Sequence, residues 1–441
     1  MRRILIISYL LIGLLGGFMV GEVQALTLEQ SIAIALKQSP VILKKQAELR
    51  AAEGQAGQIV ANYLPNLSLS GSIGKYYSEP QTVQIAIGGV TQAYSFGIDE
   101  TADTNSYSAS LSQLVFDGGG MFASFGMARK GLEAAKQELQ KTANQVTFDV
   151  ITAYNNVILA QKLVELGEQS VEMADNLLAQ ANSTQRLGIG TKADVLRAAV
   201  QLAKAEMQLT QAKQSVELAR NNFNNILGND LDQVIDLEII NDSLELLTIY
   251  DYRELLKIAY ENQPAWRQFI LAKEAALDEA AIAKGAFFPR VSLVGNYEVG
   301  STKYSSYQSD VKNWSAVAAA TWNIFDGTAT FNRLKEAEAK AQVKELEEIT
   351  IRRAVAVEVK NANFKLKSAN ENLIAAQNIL DLAFENNQVA EQRYKAGLGS
   401  NLEVIDAQVS LTQGRIEYLR AQHELQIAKA WLNNAVGQKI Y

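Results

Sequence analysis

The chain has 441 residues, a net charge of −7 from 41 Lys and Arg against 48 Asp and Glu, and no cysteine. That balance, with no basic cluster to follow a phosphate backbone, argues against nucleic acid as a partner, and the absent thiols exclude disulfides, thiolate metal sites and a lipidated amino-terminal cysteine. No run after Val20 is apolar enough to cross a bilayer as a helix, so a membrane-spanning form of this protein must use strands.

Arg2-Arg3, an apolar run over 4–20 and Val23-Gln24-Ala25 have the charged, apolar and small-residue regions of a secretory signal, residues 1–25. Cleavage after Ala25 removes two arginines and one glutamate and takes the charge from −7 to −8. A short amphipathic helix is expected over 27–36, stopped at Ser39-Pro40, and a second over 41–63, stopped at Pro65. The period then changes. Leu67, Leu69 and Ile73 alternate with Ser68, Ser70 and Ser72, and Tyr107, Ala109 and Leu111 alternate with Ser108, Ser110 and Ser112. That predicts two strands with one apolar and one small polar face, a hairpin within 66–116, joined by a long loop over 78–105.

After Phe116-Asp117-Gly118 the helical period returns and holds for about 65 residues, roughly 100 Å of helix. Val146, Val150, Tyr154 and Val157 step by three and four, as in a coiled coil. At 186–191 a Gly188-x-Gly190 turn followed by Thr191 and Asp194 reads as a helix stop and a capping-box restart, so 191–227 is the antiparallel partner. Residues 229–250 read as a linker. Then the order repeats: helices over 251–260 and 265–287, a hairpin within 290–325 with its second strand over 314–325, a long helix over 327–396, a tip at 394–400 with Gly397 and Gly399, and a helix over 400–436.

The repeat is arithmetical. Gly188 and Gly397 differ by 209, as do the two Phe-Asp-Gly junctions and the terminal Leu227-Gly228 and Val436-Gly437, whereas Pro40 and Pro264, and Pro65 and Pro289, differ by 224. Residues 26–228 and 251–441 are thus two internal repeats, the second lacking 15 residues between its proline and its Phe-Asp-Gly. Four alternating strands cannot close a barrel with a lumen, and an open sheet in lipid leaves edge amides unpaired at several kcal/mol each. If the strands are in a membrane, chains must pool them. On periodicity alone, a soluble two-hairpin cap on a coiled coil fits as well.

The opening Leu26-Thr27-Leu28-Glu29-Gln30-Ser31-Ile32-Ala33, the paired tips, Pro65 and Pro289, the Phe-Asp-Gly junctions and the offset repeat together resemble the TolC family of outer-membrane efflux proteins. The resemblance implies an α+β membrane protein. Four strands per chain would enter a shared transmembrane β-barrel in the outer membrane of a homotrimer, continued through the periplasm by a long antiparallel coiled-coil α-helical barrel. It implies a passive exit duct for a tripartite efflux or type I secretion system, with outer-membrane lipid, a periplasmic adaptor and an inner-membrane transporter as partners. The alternative class is an exported coiled-coil adaptor or scaffold without a pore.

Within that resemblance, Glu403 and Asp406 match an acidic pair ringing the periplasmic entrance, and their i, i+3 spacing puts both on one helical face. Asp194 and Tyr394 match latch residues that hold the tips closed, while the family's latch arginine is here Gly399. Gly188, Gly190, Gly397 and Gly399 are candidate adaptor-contact tips, because bare backbone lets a partner helix approach closely. Each has a local reading beside the functional one: Glu403 and Asp194 as helix-capping acids, the glycines as turn residues. Gly118-Gly119-Gly120 lacks the Lys-Ser/Thr ending of a phosphate loop, and His423 sits amid helix, with packing the expected role. Trp314 and Trp322 fit either a membrane interface or packing. No nucleophile, base and oxyanion site assembles, so neither enzymatic activity nor a cofactor or metal is expected.

Overall fold

The computed structural model describes residues 25–96, 100–238 and 250–441; the signal-sequence reading over 1–24 and the linker reading over 239–249 lie outside the described residues. The first half runs α1 (Leu28–Gln38), α2 (Pro40–Ala61), strands β1 (Asn66–Ser78), β2 (Gln81–Ile87), β3 (Val90–Phe96) and β4 (Glu100–Phe116), then α3 (Gly120–Arg186) and α4 (Lys192–Leu227). The second runs α5 (Tyr252–Asn262), α6 (Pro264–Gly285), β5 (Arg290–Lys303), β6 (Gln308–Thr321), α7 (Ala329–Lys395) and α8 (Asn401–Val436). Helix lengths of 11, 22, 67 and 36 residues occur in that order in both halves. Each 67-residue helix is about 100 Å long.

Four strands form one antiparallel sheet in the order β1-β4-β5-β6. Its pairs keep like faces together: Leu67 lies opposite Leu111 and Leu69 opposite Ala109, while Ser70 lies opposite Ser108 and Ser110 opposite Asn296. The polar face is cross-linked from strand to strand. Ser70 Oγ is 2.7 Å from Ser108 Oγ, Ser110 Oγ donates to Asn296 Oδ1 at 2.7 Å and Ser106 Oγ donates to Glu298 Oε1 at 3.1 Å. The other face carries a bare apolar band, with Leu69 78%, Ile73 82% and Trp314 79% exposed, and gives way toward the Ser78 end to the Lys75–Asp103 ion pair.

Two expectations need correction. The stretch 78–105 is not a plain loop: β1 runs to Ser78, β4 begins at Glu100, and β2 and β3 pair around Gly88-Gly89, both at positive φ. Two left-handed residues make the tight turn whose twist suits a hairpin, and the alternation of Val83 and Ile85 with Thr82 and Gln84 was hidden by overall polarity. The last strand spans 308–321 rather than 314–325, because Trp322 turns away and its Nε1 donates to Phe287 O at 3.1 Å.

The strand-to-helix junctions show why the Asp-Gly pairs matter. Asp117 Oδ1 accepts from Met121 N at 2.9 Å and Asp326 Oδ2 from Thr330 N at 3.0 Å, so each aspartate caps a long helix. A Cβ on Gly118 would sit 2.2 Å from Gly285 O, which makes that glycine obligatory for packing α6 against the turn. Thr328 takes a left-handed φ of 73° where the first half has Gly119 at 90°, a strain of roughly 1–2 kcal/mol for a side chain with a Cβ.

The described residues fall into two compact units, one of 25–39, 149–238 and 370–427 and one of 40–148, 250–369 and 428–441. In the first, the 3-4 stripe expected on α3 is buried at Val150, Tyr154 and Val157, and Phe223 meets the Tyr154 ring edge-on at 6.0 Å. Small residues bring helices close: a Cβ on Gly167 would lie 3.3 Å from Leu209 Cα, and one on Gly414 would lie 3.5 Å from Leu380 Cα. In the second, Leu255, Ala259, Trp266, Val359, Leu432 and Val436 are buried, and the Arg352 guanidinium lies over the Tyr260 ring at 5.5 Å.

Tyr154 also anchors the chain's start. Leu26 forms a parallel bridge with Leu237, and the Tyr154 hydroxyl donates to Leu26 O at 3.1 Å and to Glu238 O at 2.5 Å. Burial, then the charge of Glu238, pushes the phenol up to about 12. The neutral phenol is therefore favoured by folding: its contribution is complete below the ordinary tyrosine value near ~10 and is lost as pH rises through the folded value. Tyr154→Phe leaves Glu238 O without its partner and is expected to cost roughly 1–3 kcal/mol, measured by denaturant unfolding; unchanged stability would show that the anchor contributes nothing.

Candidate functional site: the helical tips

Both helical hairpin tips belong to the first compact unit and use the same stop. At the first, Ile189 N donates to Thr184 O and Gly188 N to Gln185 O, both at 3.0 Å; at the second, Leu398 N donates to Arg393 O at 2.9 Å and Gly397 N to Tyr394 O at 3.0 Å. This is the Schellman arrangement, which needs a left-handed residue after the helix, and Gly188 and Gly397 supply it at φ 78° and 75°. The second glycines serve a different need. A Cβ on Gly190 would lie 2.7 Å from Thr184 Oγ1, and one on Gly399 would crowd Arg393 Cβ and Tyr394 N at 3.2 Å. The turns raise apolar side chains into solvent, with Leu187 71%, Ile189 80% and Leu398 73% exposed.

The restarts differ. Thr191 caps α4 in a closed box: Asp194 N donates to Thr191 Oγ1 at 3.2 Å, and Thr191 N and Oγ1 donate to Asp194 Oδ2 at 3.0 and 2.6 Å. The Thr191 hydroxyl and then its amide hold the Asp194 carboxyl below its ordinary value, helped by Arg197 at 3.9 Å. At α8, Ser400 Oγ accepts from Glu403 N at 3.2 Å, but the Glu403 carboxylate turns instead to Arg393 Nε at 3.9 Å. The capping box expected at both tips is thus reciprocal at the first alone, and Glu403 is released from cap duty.

Glu403 and Asp406 are both exposed on one face of α8, while Val404 and Ala407 between and after them are buried. Arg197 occupies the α4 position corresponding to Asp406 and lies beside Asp194, so at the helix restart the first copy pairs a base with an acid where the second has two acids, Glu403 and Asp406.

The two tips are bound to each other. Leu177, Ala181, Val195, Ala198 and Val404 form one buried cluster against which Tyr394 packs. Tyr394 and Asp194 come to the same region, yet no hydrogen bond joins them among the described residues. What crosses between tips is Asn401, 3% exposed, whose Nδ2 donates to Asp194 O at 3.4 Å. Asn401 and Arg393 were missed from the sequence. Asn401 stands where the first tip has Lys192, and that polar-for-charged difference between copies is the signal that marks it. Arg393, on the helix before the turn, places a cation next to the Gly399 position and donates to Leu398 O at 3.2 Å.

His423 is half-buried with Nε2 2.7 Å from Asn156 Oδ1, and desolvation pushes its pKa down, which suits a packed neutral ring. No group of His, Asp and Glu among the described residues is arranged to hold a metal ion.

The model of the outer membrane efflux protein family matches residues 32–229 and 255–438. Protein CyaE of Bordetella pertussis is 25% identical over 418 residues, covering 94% of this chain and 84% of its own. Outer membrane efflux protein BepC of Brucella suis is 22% identical over 430 residues, covering 93% and 90%. Among solved structures, the outer membrane protein VceC of Vibrio cholerae superposes with a TM-score of 0.76 at 19% identity, over 94% of this chain and 97% of that one.

Thr191→Ala is expected to cost about 1 kcal/mol in the first turn of α4, seen as faster amide exchange over 191–195. Asp194→Asn alone should act in the same direction, and because the two side chains form one cap the double variant should lose less than the sum. The Asp194 contribution is present above the ordinary carboxylate range and is lost as pH falls through its lowered folded value. Strict additivity would show two independent side chains rather than one box.

Proposed function

The chain belongs to the outer membrane efflux protein family, and from that premise we propose that three copies pool their sheets into a twelve-stranded barrel opening to the exterior. The protein is an outer-membrane efflux and secretion channel whose helical part extends into the periplasm. The observation that carries the pooled barrel is the open sheet itself. β1 and β6 each have one ladder partner among the described residues, while one face bears Leu69, Ile73 and Trp314 and the other a hydrogen-bonded serine ladder. In lipid that combination is sustainable if neighbouring copies cover the edges, the apolar face meets acyl chains and the serine face lines water. An exported scaffold without a pore has no use for so large a bare apolar face.

The helices then continue the wall as a conduit, and the tips meet a periplasmic adaptor that couples the duct to an inner-membrane transporter. The left-handed Gly188 and Gly397 and the tight Gly190 and Gly399 let a partner helix approach the backbone, and exposed Leu187, Ile189 and Leu398 offer it apolar contact. Glu403 and Asp406, repeated three times about one axis, form an acidic entrance that favours cations. With Arg393 beside Glu403, Asp406 is the dominant pore carboxylate. Asp194 and Tyr394 act in the closed tip through the box and the shared apolar cluster, with Arg393 and Asn401 taking the place of a latch arginine at Gly399.

In planar bilayers, Glu403→Gln with Asp406→Asn is expected to reduce the cation-to-anion permeability ratio on the order of five-fold, the effect of ~1 kcal/mol at a narrow, partly screened ring. Asp406→Asn alone should account for most of it. Unchanged reversal potentials in the double variant would remove the ring from the account.

A further inference from the structure

The two hairpins of the sheet are superposable in register. Asn66 pairs with Ser112 and Ser78 with Glu100 in the first, and Arg290 pairs with Thr321 and Thr302 with Ser309 in the second. Every β1 residue therefore maps to β5 by adding 224, and β4 residues 100–112 map to β6 by adding 209, the same two offsets that the prolines and the tips give. The seam between the hairpins, β4 against β5, is described as well: Ser112 opposite Val294, Ser110 opposite Asn296 and Ala109 opposite Tyr297.

A barrel built from several copies contains a second seam, β6 of one copy against β1 of the next. Both seams join one hairpin to the following one. Strand tilt and stagger are linked around a closed barrel, so equivalent hairpins close without distortion when both seams carry the same stagger. Resting on the pooled-barrel reading above, we infer that the β4–β5 register is repeated between copies, shifted by the two offsets. Thr321 then lies opposite Ser70 of the partner subunit, Ala319 opposite Ser72 of the partner subunit, Ala318 opposite Ile73 of the partner subunit and Val317 opposite Gly74 of the partner subunit.

The faces of the two strands follow from this assignment. Ala318 shares its face with Leu293 and Ile73 with the apolar residues of β1, while Ala319 shares its face with Ser292 and Ser72 with the serine ladder. The register thus sets like face beside like face across the seam. It also places a small residue opposite a larger one at two positions, Ala318 at Ile73 and Gly74 at Val317, and sets two aromatics, Trp314 and Tyr77, side by side. A slip of one residue would turn the apolar face of one copy into line with the serine face of the next.

The absence of native cysteine makes the seam directly testable by paired cysteines in the full-length membrane protein. Ser72→Cys with Ala319→Cys probes the polar face, and Ile73→Cys with Ala318→Cys probes the apolar face. One of these is a non-hydrogen-bonded pair with closely spaced Cβ atoms. Ser72→Cys with Val317→Cys and Ser72→Cys with Thr321→Cys are shifted by two residues on the same face, where Cβ atoms are ~7–8 Å apart and too distant for an unstrained disulfide. Single-cysteine variants recovered in the outer-membrane fraction verify folding. After copper-phenanthroline oxidation, at least one in-register pair is expected to give dimer and trimer bands roughly ten-fold stronger than either shifted pair. Stronger cross-linking at a shifted pair, or none at any pair in a protein that is trimeric in detergent, overturns the register and leaves the pooled barrel standing. No cross-linking in a protein that is monomeric in detergent removes the pooled barrel itself.

Discussion

The constraint on which the structure depends is the obligation of backbone amides to find partners where water cannot reach. β1 and β6 expose long edges, and the faces between them are apolar on one side and serine-lined on the other. In water such a sheet invites aggregation, and in lipid its edge amides cost several kcal/mol each. Four strands do not suffice to curl closed around a lumen. On the pooled-barrel proposal, edge pairing, face polarity and oligomerisation are one problem with one solution, and the serine ladder is the face that would line water.

Duplication answers the geometrical side of the same problem. On that proposal, two hairpins with matching pairing patterns and two helical stacks of identical lengths would give one chain two equivalent segments of wall. Apart from the β2–β3 insertion and the longer β4, the equivalence holds in the backbone and is relaxed in chemistry. Gly119 becomes Thr328 at an unchanged left-handed turn, and Arg197 becomes Asp406 on an unchanged helical face. Backbone sites where a strand must turn into a helix tolerate strain to keep the shape, while the exposed face of the tip is free to concentrate charge on one copy. The chemical asymmetry between the two tips thus arises from side chains on a repeated frame.

Much of this was legible beforehand because the signals were periodic. The heptad-like stripe through Val150, Tyr154 and Val157, the glycine stops and the serine alternation each depend on local spacing, and each is found in the structure. The β2–β3 hairpin was not legible, since its alternation is mostly polar and the Gly88-Gly89 turn sits in a stretch of loop-like composition. At the tips, Thr191 and Asp194 form the cap that their spacing indicates, whereas Glu403 leaves its cap for Arg393, a residue on the opposite side of the turn. Spacing along one helix does not report a competitor on another. Asn401 and its contact with Asp194 O likewise exist through tertiary packing alone.

Amide hydrogen exchange on the membrane-embedded protein addresses the edge strands most directly. Peptides covering 66–78 and 308–321 should be as strongly protected as those covering 100–116 and 290–303, because each edge is paired by a neighbouring copy. Rapid exchange confined to the two edge strands, with the inner pair still protected, would mean that the sheet ends where one chain ends, and would contradict a wall shared between chains.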